Sequence, residues 1–248
     1  MSQEVINDLL GYPGLKIIQN PEMFNFSLDS TLLAYFTTIN PLDKRILDIG
    51  CGNGFIPIFL TLKTKAKIEG IEIQEQLSDM ARRSVALNNL DDQITIINDD
   101  VRGYHLKVGV SKYDVITCNP PYFVYKEDSR INKNDYLTIA RHEVNLTLEE
   151  LLDSAKKLLK DNGTFSLVHR SNRLSEIFIL LDKYGFVPKR LQFVYPKKTD
   201  QESLICLIEC KKSKNKGGLK ILPPLYVHKK DGTYSKEVLK IFNYQKED

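Results

Sequence analysis

The sequence predicts an α/β fold built on a mostly parallel sheet with helices on both faces. Three observations predict it. From Lys44 onward, short apolar runs rich in Ile, Val and Leu alternate with stretches of helical period. Glycines and carboxylates sit just after the consecutive runs. Near the end, two apolar runs follow one another with no helical stretch between them. Alternation of this kind requires crossover connections, and crossovers make neighbouring strands parallel and cover the sheet on both sides.

The elements follow in order. Residues 1–40 are mixed, with turn signals at Gly11-Tyr12-Pro13-Gly14 and Asn20-Pro21. Ser27-Leu28-Asp29-Ser30-Thr31 reads as a helix start whose apolar face carries Leu32, Leu33, Tyr35 and Phe36. The first strand of the alternating region spans 45–49, followed by a helix over 55–63 and a strand over 67–73. The stretch 76–88 is amphipathic, with Leu77, Met80, Ala81, Ser84, Val85 and Leu87 near one face. Strands are predicted at 93–98 and 112–118. A helix over 148–160 is predicted to stop at Asp161-Asn162-Gly163, a C-capping signal. A strand at 164–169 and a helix at 174–184, stopped by Gly185, come next. The runs 190–195 and 203–210 are expected to close the sheet as an antiparallel pair, and the Lys/Gly-rich stretch 211–218 to form a loop.

The chain has 248 residues, room for one large α/β domain or one domain with a small appendage. Hydrophobic residues make up 42% of it, enough for a sizeable core. No run approaches the length of a membrane-spanning helix. The start, Met1-Ser2-Gln3-Glu4-Val5, lacks the basic and apolar regions of a secretory signal. The four cysteines, Cys51, Cys118, Cys206 and Cys210, form no CxxC pair, and there are four histidines. This argues against a structural metal and for reduced thiols in a cytoplasmic protein. Net charge is +3 but unevenly spread. From Lys183 to the end lie 15 of the 35 Lys and Arg but 7 of the 32 Asp and Glu. The C-terminal part is thus expected to face a polyanion.

The chemistry is concentrated at the ends of the runs. Asp48-Ile49-Gly50-Cys51-Gly52-Asn53-Gly54 is a glycine cassette after the first strand. Its glycines permit a tight turn and close backbone approach of a ligand. The GxGxG spacing argues against a nicotinamide site, and Asp48 suits an amino group, as on S-adenosylmethionine. Glu72 closes the next strand, where a carboxylate can accept both ribose hydroxyls, and Ile73 beside it can pack on an adenine ring. Asp99-Asp100-Val101 closes the third, and either aspartate can accept the adenine amino hydrogens. Asp100 is preferred, with Val101 offering a backbone N–H. Asn119-Pro120-Pro121-Tyr122 follows the fourth strand. Consecutive prolines make a rigid loop. An amide nitrogen or the exocyclic nitrogen of a base is a poor nucleophile because its lone pair is delocalised. The Asn119 and Pro120 carbonyls can accept its hydrogens and aim the lone pair, while Tyr122 stacks on the substrate plane. Cys51 and Cys118 read as small apolar fillers beside this site.

The glycine cassette followed by Asn119-Pro120-Pro121-Tyr122 resembles the class I amino-methyltransferases. Phe26-Ser27-Leu28-Asp29, Ile71-Glu72-Ile73-Gln74, Ala140-Arg141-His142-Glu143, Leu167-Val168-His169-Arg170 and Tyr234-Ser235-Lys236-Glu237 make the chain similar to bacterial tRNA(adenine37-N6)-methyltransferases. Ser235 stands where that family usually has Thr. The resemblance implies a seven-stranded Rossmann-like sheet over 41–248 with a basic C-terminal segment, and methylation of N6 of an adenosine beside the anticodon of valine tRNA. It also implies that residues 1–40 close over the cofactor, Phe26 and Asp29 at its methionine end. His142 has two readings, orienting the substrate loop or packing a helix. The anticodon stem-loop is the expected partner, with the 126–133 loop and the basic tail on its phosphates, and a monomer the expected form. The alternative is N5-methylation of a release-factor glutamine. Those enzymes carry a helical N-terminal domain for which 40 residues leave little room.

Overall fold

A computed structural model describes residues 4–11, 13–21, 28–120 and 146–245. A hairpin, β1 (Val5–Asp8) and β2 (Lys16–Gln19), comes first, then α1 (Leu28–Phe36). The alternating region follows: β3 (Arg45–Ile49), α2 (Phe55–Leu60), β4 (Lys67–Glu72), α3 (Glu75–Leu87), β5 (Ile94–Asn98), α4 (Tyr104–Val108) and β6 (Tyr113–Cys118). After it come α5 (Leu148–Leu158), β7 (Leu159–Arg170), a 3-10 turn (Ser171–Arg173), α6 (Leu174–Lys183), β8 (Phe186–Lys197), β9 (Ile205–Lys212), β10 (Lys220–Ile221), β11 (Leu225–His228) and α7 (Lys236–Phe242).

The seven expected strands run in the order β5-β4-β3-β6-β7-β9-β8, and β10 and β11 both add to β8, making a nine-stranded sheet. Every pairing is parallel except the two that β9 makes, with β7 and β8. The chain order reverses direction between β3 and β6, the switch point at which a crevice opens at the carboxyl edge of such sheets.

The pleat distributes side chains to two cores. Ile46 and Val115 face the layer of α1, α2, α3 and α7, while Leu47, Ile49, Ile116 and Cys118 face α4, α5 and α6. Both sets are buried, so β3 and β6 read as near-continuous apolar runs. Helix α2 tolerates Pro57 because it lies in the first turn, where a missing N–H costs no intrahelical bond. Helix α5 starts with a capping box: Thr147 Oγ1 accepts from Glu150 N (3.2 Å) and Glu150 Oε2 accepts from Thr147 N (2.9 Å). Such a cap contributes about 1 kcal/mol. Ser235 caps α7 by accepting from Val238 N (3.1 Å), so Ser serves there as Thr would.

The structure revises several readings. The helix expected over 148–160 ends at Leu158, because Leu159 already pairs with Tyr113. Asn162 is left-handed (φ 60°), but it turns the chain where the β6–β7 register shifts, inside β7. Leu87 is 44% exposed and the buried face of α3 takes Ser78 instead. The mixed N-terminal segment contains a hairpin set against α3. Ile18 packs on Leu77 and Met80, Ile18 N donates to Ser84 Oγ (3.0 Å), and Asn88 exchanges two 2.7 Å bonds with the backbone of Lys16. The end of helix α1 is tied to the turn after α2 by Lys63, whose ammonium donates to the carbonyls of Ala34 (3.0 Å), Tyr35 (2.8 Å) and Thr37 (2.5 Å). Burial lowers this ammonium to a pKa of about 8.

Candidate active site

Strands β3 and β6 lie side by side at the switch point, and their register pairs Asp48 with Thr117. Both point to the α1–α2 side and both are fully buried. Thr117 Oγ1 donates to Asp48 Oδ1 at 2.6 Å, while no donor among the described residues reaches the buried Asp48 Oδ2. Burial pushes the Asp48 carboxyl up to about 8, against the Thr117 hydrogen bond and with the nearby Glu72 charge adding to the rise. An unsatisfied carboxylate oxygen in such a place costs free energy that an arriving cation offsets.

The glycine loop leaves β3 at once. Gly50, Gly52 and Gly54 have φ of 67°, 55° and 90°, a backbone that L side chains rarely adopt. A Cβ on Gly50 would meet nothing within 4 Å, so the backbone there faces open space. The loop is stitched to β4 by Gly50 N and Cys51 N, which both donate to Ile71 O (2.8 and 3.1 Å). This close approach needs Gly70, since a Cβ there would lie 2.8 Å from Cys51 Sγ. Cys51 and Cys118 are buried and their thiols are pushed up by burial, so neither is an activated nucleophile.

Glu72 ends β4 and is 5% exposed. Its two oxygens accept from Gly52 N (3.0 Å) and Gln74 N (2.9 Å). Burial raises its carboxyl, and these backbone donors hold the rise back. The carboxylate is therefore fixed in orientation, with a second lone pair on each oxygen for hydroxyl donors. Ile73 beside it is 44% exposed, an apolar side chain on the carboxyl edge just past β4. Asn98 Nδ2 and Asp99 N donate to Glu72 O (2.9 and 3.2 Å), holding the end of β5 against it.

Asp99 and Asp100 have different partners. Lys107 donates to Asp99 Oδ2 at 2.5 Å, and Arg102 binds both oxygens of Asp100, at 2.6 Å to Oδ2 and 3.1 Å to Oδ1. Val101 is buried with its carbonyl accepting from Tyr104 N (3.1 Å).

At the end of β6, Asn119 Nδ2 donates to Ser30 Oγ on α1 (2.9 Å). A cleft is lined by Ser30, Gly50, Cys51, Asn53, Phe55, Ile56 and Asn119. Asn53 is buried and donates to Ile18 O (3.0 Å), tying the glycine loop to the N-terminal hairpin. Of the sequence-predicted residues, Gly50 and Asn119 line this cleft, Asp48 is bonded to Thr117 beside it and Glu72 to Gly52 N, while Ile73, Asp100 and Val101 follow the ends of β4 and β5 on the same carboxyl edge. Pro120, next in the chain after Asn119, is buried. Pro121, Tyr122, Phe26, Ser27, the 126–133 loop and Ala140-Arg141-His142-Glu143 lie outside the described residues. Ser30, Asn53 and Thr117 were missed at the sequence level. Thr117, the one polar residue within the apolar run 115–118, was the legible signal; its meaning depended on register with Asp48.

Chemically, the crevice offers a desolvated carboxylate for a cation, a second for a diol, and a flat apolar surface beside it. An S-adenosyl group presents these features, and the residues fit it. Among the described residues no group of three His, Cys, Asp or Glu side chains is placed to hold a metal ion, and no helix is long and apolar enough to cross a membrane. All four cysteines are free and buried.

Comparison with known proteins identifies the family. Residues 14–187 match the family described as Methyltransferase small domain. A tRNA1(Val) (adenine(37)-N6)-methyltransferase of Bacteroides fragilis is 32% identical over 169 residues, covering 68% of this chain and 70% of its own. The protein of the same name from Porphyromonas gingivalis is 30% identical over 190 residues, covering 74% and 73%. Among solved structures, a predicted O-methyltransferase from Agrobacterium tumefaciens superposes with a TM-score of 0.67 at 20% identity, over 87% of this chain and 95% of that one, a likeness of fold. The chain belongs to the Methyltransferase small domain family, and within it to the tRNA1(Val) (adenine(37)-N6)-methyltransferase group.

Proposed function

We propose that the protein transfers a methyl group from S-adenosylmethionine to N6 of an adenosine in tRNA, at position 37 of valine tRNA. The observation that carries this reading is the placement of Asn119 across the switch point from the glycine loop, lining one cleft with Gly50. The names of the relatives supply the substrate.

When bound, the cofactor supplies an electrophilic methyl group on a sulfonium. The residues of this chain do the rest. Asp48 Oδ2 takes the amino group of its methionine end, and Gly50 and Gly52 bring the backbone against it. Glu72 accepts the ribose hydroxyls and Ile73 packs on the adenine. Val101 and one of Asp99 and Asp100 meet the adenine edge, Asp100 being preferred. Asn119 Oδ1 and the Pro120 carbonyl accept the two N6 hydrogens of the target base, turning its lone pair toward the methyl. Pro121 stiffens the loop and Tyr122 stacks on the base. Ser30 holds the Asn119 amide so that its nitrogen faces α1 and its oxygen serves as acceptor. Residues 1–40 form the part that closes over the cofactor, a role supported by the Ser30–Asn119 and Asn53–Ile18 bonds. Acceleration comes from alignment rather than from a strong base. A base at position 37 lies in a loop, so extruding it costs less than flipping one from a duplex. The protein works as a monomer in the cytoplasm, with cofactor and tRNA as its partners.

The test incubates purified protein with labelled S-adenosylmethionine and unmodified total tRNA, then analyses the nucleosides. N6-methyladenosine is the expected product. Asn119→Ala should lower kcat by about 100-fold or more while RNA binding is kept. Survival of activity in that variant would remove Asn119 from its role. A parallel reaction with purified release factor in place of tRNA should leave its glutamine unmethylated; methyl-glutamine there, with no N6-methyladenosine from tRNA, would overturn the substrate.

A further inference from the structure

The basic C-terminal part does not form one surface; the sheet topology divides it between two edges. Strand β9 is antiparallel to its neighbours, so its end, Lys211 and Lys212, and the Lys/Gly-rich loop after it lie at the amino edge, away from the crevice. Several lysines there are held by structural contacts. Lys211 donates to Thr164 Oγ1 (2.8 Å), Lys212 to Leu159 O (2.7 Å), and Lys216 pairs with Asp182 (2.6 Å).

The other edge differs. Strand β8 runs parallel to β7 and β6, being separated from β7 by one antiparallel strand, and β11 is parallel to β8. Their C-terminal ends therefore share the carboxyl edge with Asn119. Four exposed lysines stand at those ends: Lys197 closes β8 and Lys198 follows it, and Lys229 and Lys230 follow β11. The nearby Asp200 and Asp231 are committed to turns, accepting from Lys197 N (2.9 Å) and from Thr233 N and Oγ1 (2.9 and 2.6 Å).

Aromatic rings lie among these lysines. Tyr226 is registered opposite Tyr195 with ring centroids 5.7 Å apart, and His228 stacks on Tyr234 at 5.1 Å and 20°. Val194, Leu225 and Val227 point into the core, so the alternate positions 195, 226 and 228 face the other way. Tyr234 is 40% exposed. From β6 to β11 is four strand spacings, about 19 Å. At roughly 3.4 Å per nucleotide this is about six stacked nucleotides, a reach for a folded stem-loop rather than for one extruded base.

We propose that the carboxyl edge of β8 and β11 is the docking surface for the RNA stem-loop that presents its base to Asn119. The four lysines take backbone phosphates, and the part-exposed Tyr234 ring, fixed by His228 stacked on it and by Phe242 perpendicular to it at 4.9 Å, offers its free part as a stacking platform for an unpaired base. This rests on the RNA-methylating reading and adds which part of the basic tail meets the RNA and which does not.

The test compares three forms of the full chain: wild type, the edge variant Lys197→Glu/Lys198→Glu/Lys229→Glu/Lys230→Glu, and a control on the amino edge, Lys214→Glu/Lys216→Glu. Binding of a labelled anticodon stem-loop RNA is followed by anisotropy across a salt series, with S-adenosylmethionine binding by calorimetry as the check on folding. The edge variant should lower the salt slope by about 3 and weaken binding at least about tenfold, and raise KM for tRNA with cofactor binding unchanged. Tyr234→Ala should weaken RNA binding with the salt slope kept. The control should match wild type. An unchanged slope and KM in the edge variant, or an equal loss in the control, would overturn the proposal. RNA binding is read without turnover, so wild-type protein that binds the stem-loop but methylates no RNA would sink the activity and leave the surface judged on its own slope.

Discussion

Two pairs of carboxylates end neighbouring strands on the same edge, and they behave in opposite ways. Asp48 and Glu72 are buried, and burial raises both. Asp99 and Asp100 sit one strand further out. The Lys107 hydrogen bond lowers Asp99; burial opposes the fall of Asp100, but its bonds from Arg102 prevail. The inner pair is held by backbone donors and a threonine, with no cation among the described residues to neutralise it. The outer pair has its cations already. At the sequence level all four look alike, as acids after an apolar run. What separates them is whether water and a basic side chain can reach them.

The largest expected effect is at Glu72. Glu72→Gln sets an amide against donors from Gly52 and Gln74, at least one of which then faces an NH2 group. Cofactor affinity should fall about 100-fold or more, and stability by about 2 kcal/mol. Calorimetry and urea denaturation read the two losses. Cofactor binding within about threefold of wild type would erase the distinction between the pairs.

Next comes Asp48, through pH. Its folded pKa is raised above its unfolded value, so its contribution to stability is complete below about pH 4 and is lost as pH rises through about 8. Glu72 acts with the same sign. Asp99 and Asp100, being lowered, stabilise at higher pH and lose that contribution as pH falls through the acid range. The melting temperature of Asp48→Asn should fall less than that of wild type between pH 5 and 8. Cofactor affinity, which in wild type should rise over the same range as Asp48 ionises, should flatten. A parallel pair of curves would show that Asp48 does not titrate there.

The smallest effects belong to the outer pair. The Arg102–Asp100 ion pair is 42% and 35% exposed at its side chains, a setting in which such pairs contribute less than about 1 kcal/mol. Asp99→Asn should change cofactor affinity less than about threefold and Asp100→Asn somewhat more, by about tenfold, if Asp100 is the one that meets the adenine. The reverse order would assign that role to Asp99.

How much was legible follows the same division between local and non-local causes. Strands at 45–49, 67–73, 93–98 and 112–118 fell within a residue or so of their observed ends, because each is a parallel strand whose apolar run is bounded by glycine or polar residues, buried in β3 and β6 and half-exposed in the edge strand β5. The end of α5 was misplaced because Asp161-Asn162-Gly163 is a turn signal with no address: it caps a helix or bends a strand, and the pairing of Leu159 with Tyr113 decides which. The four-residue strands of the N-terminal hairpin are too short to show a period, and their stability comes from Ser84 and Asn88 on a helix far along the chain.

Strand cores, the glycine loop and the residues at the strand ends are legible in the linear chain, since these follow from apolar pattern, backbone freedom and the chemistry of side chains in local order. Tertiary structure alone decided that Thr117 lies opposite Asp48, that α1 brings Ser30 to Asn119, and that the lysines of one basic tail part to opposite edges. Those depend on register and strand direction, which are settled only when distant segments pair, and a single antiparallel strand, β9, is enough to send one set of charges away from the site and leave the other beside it.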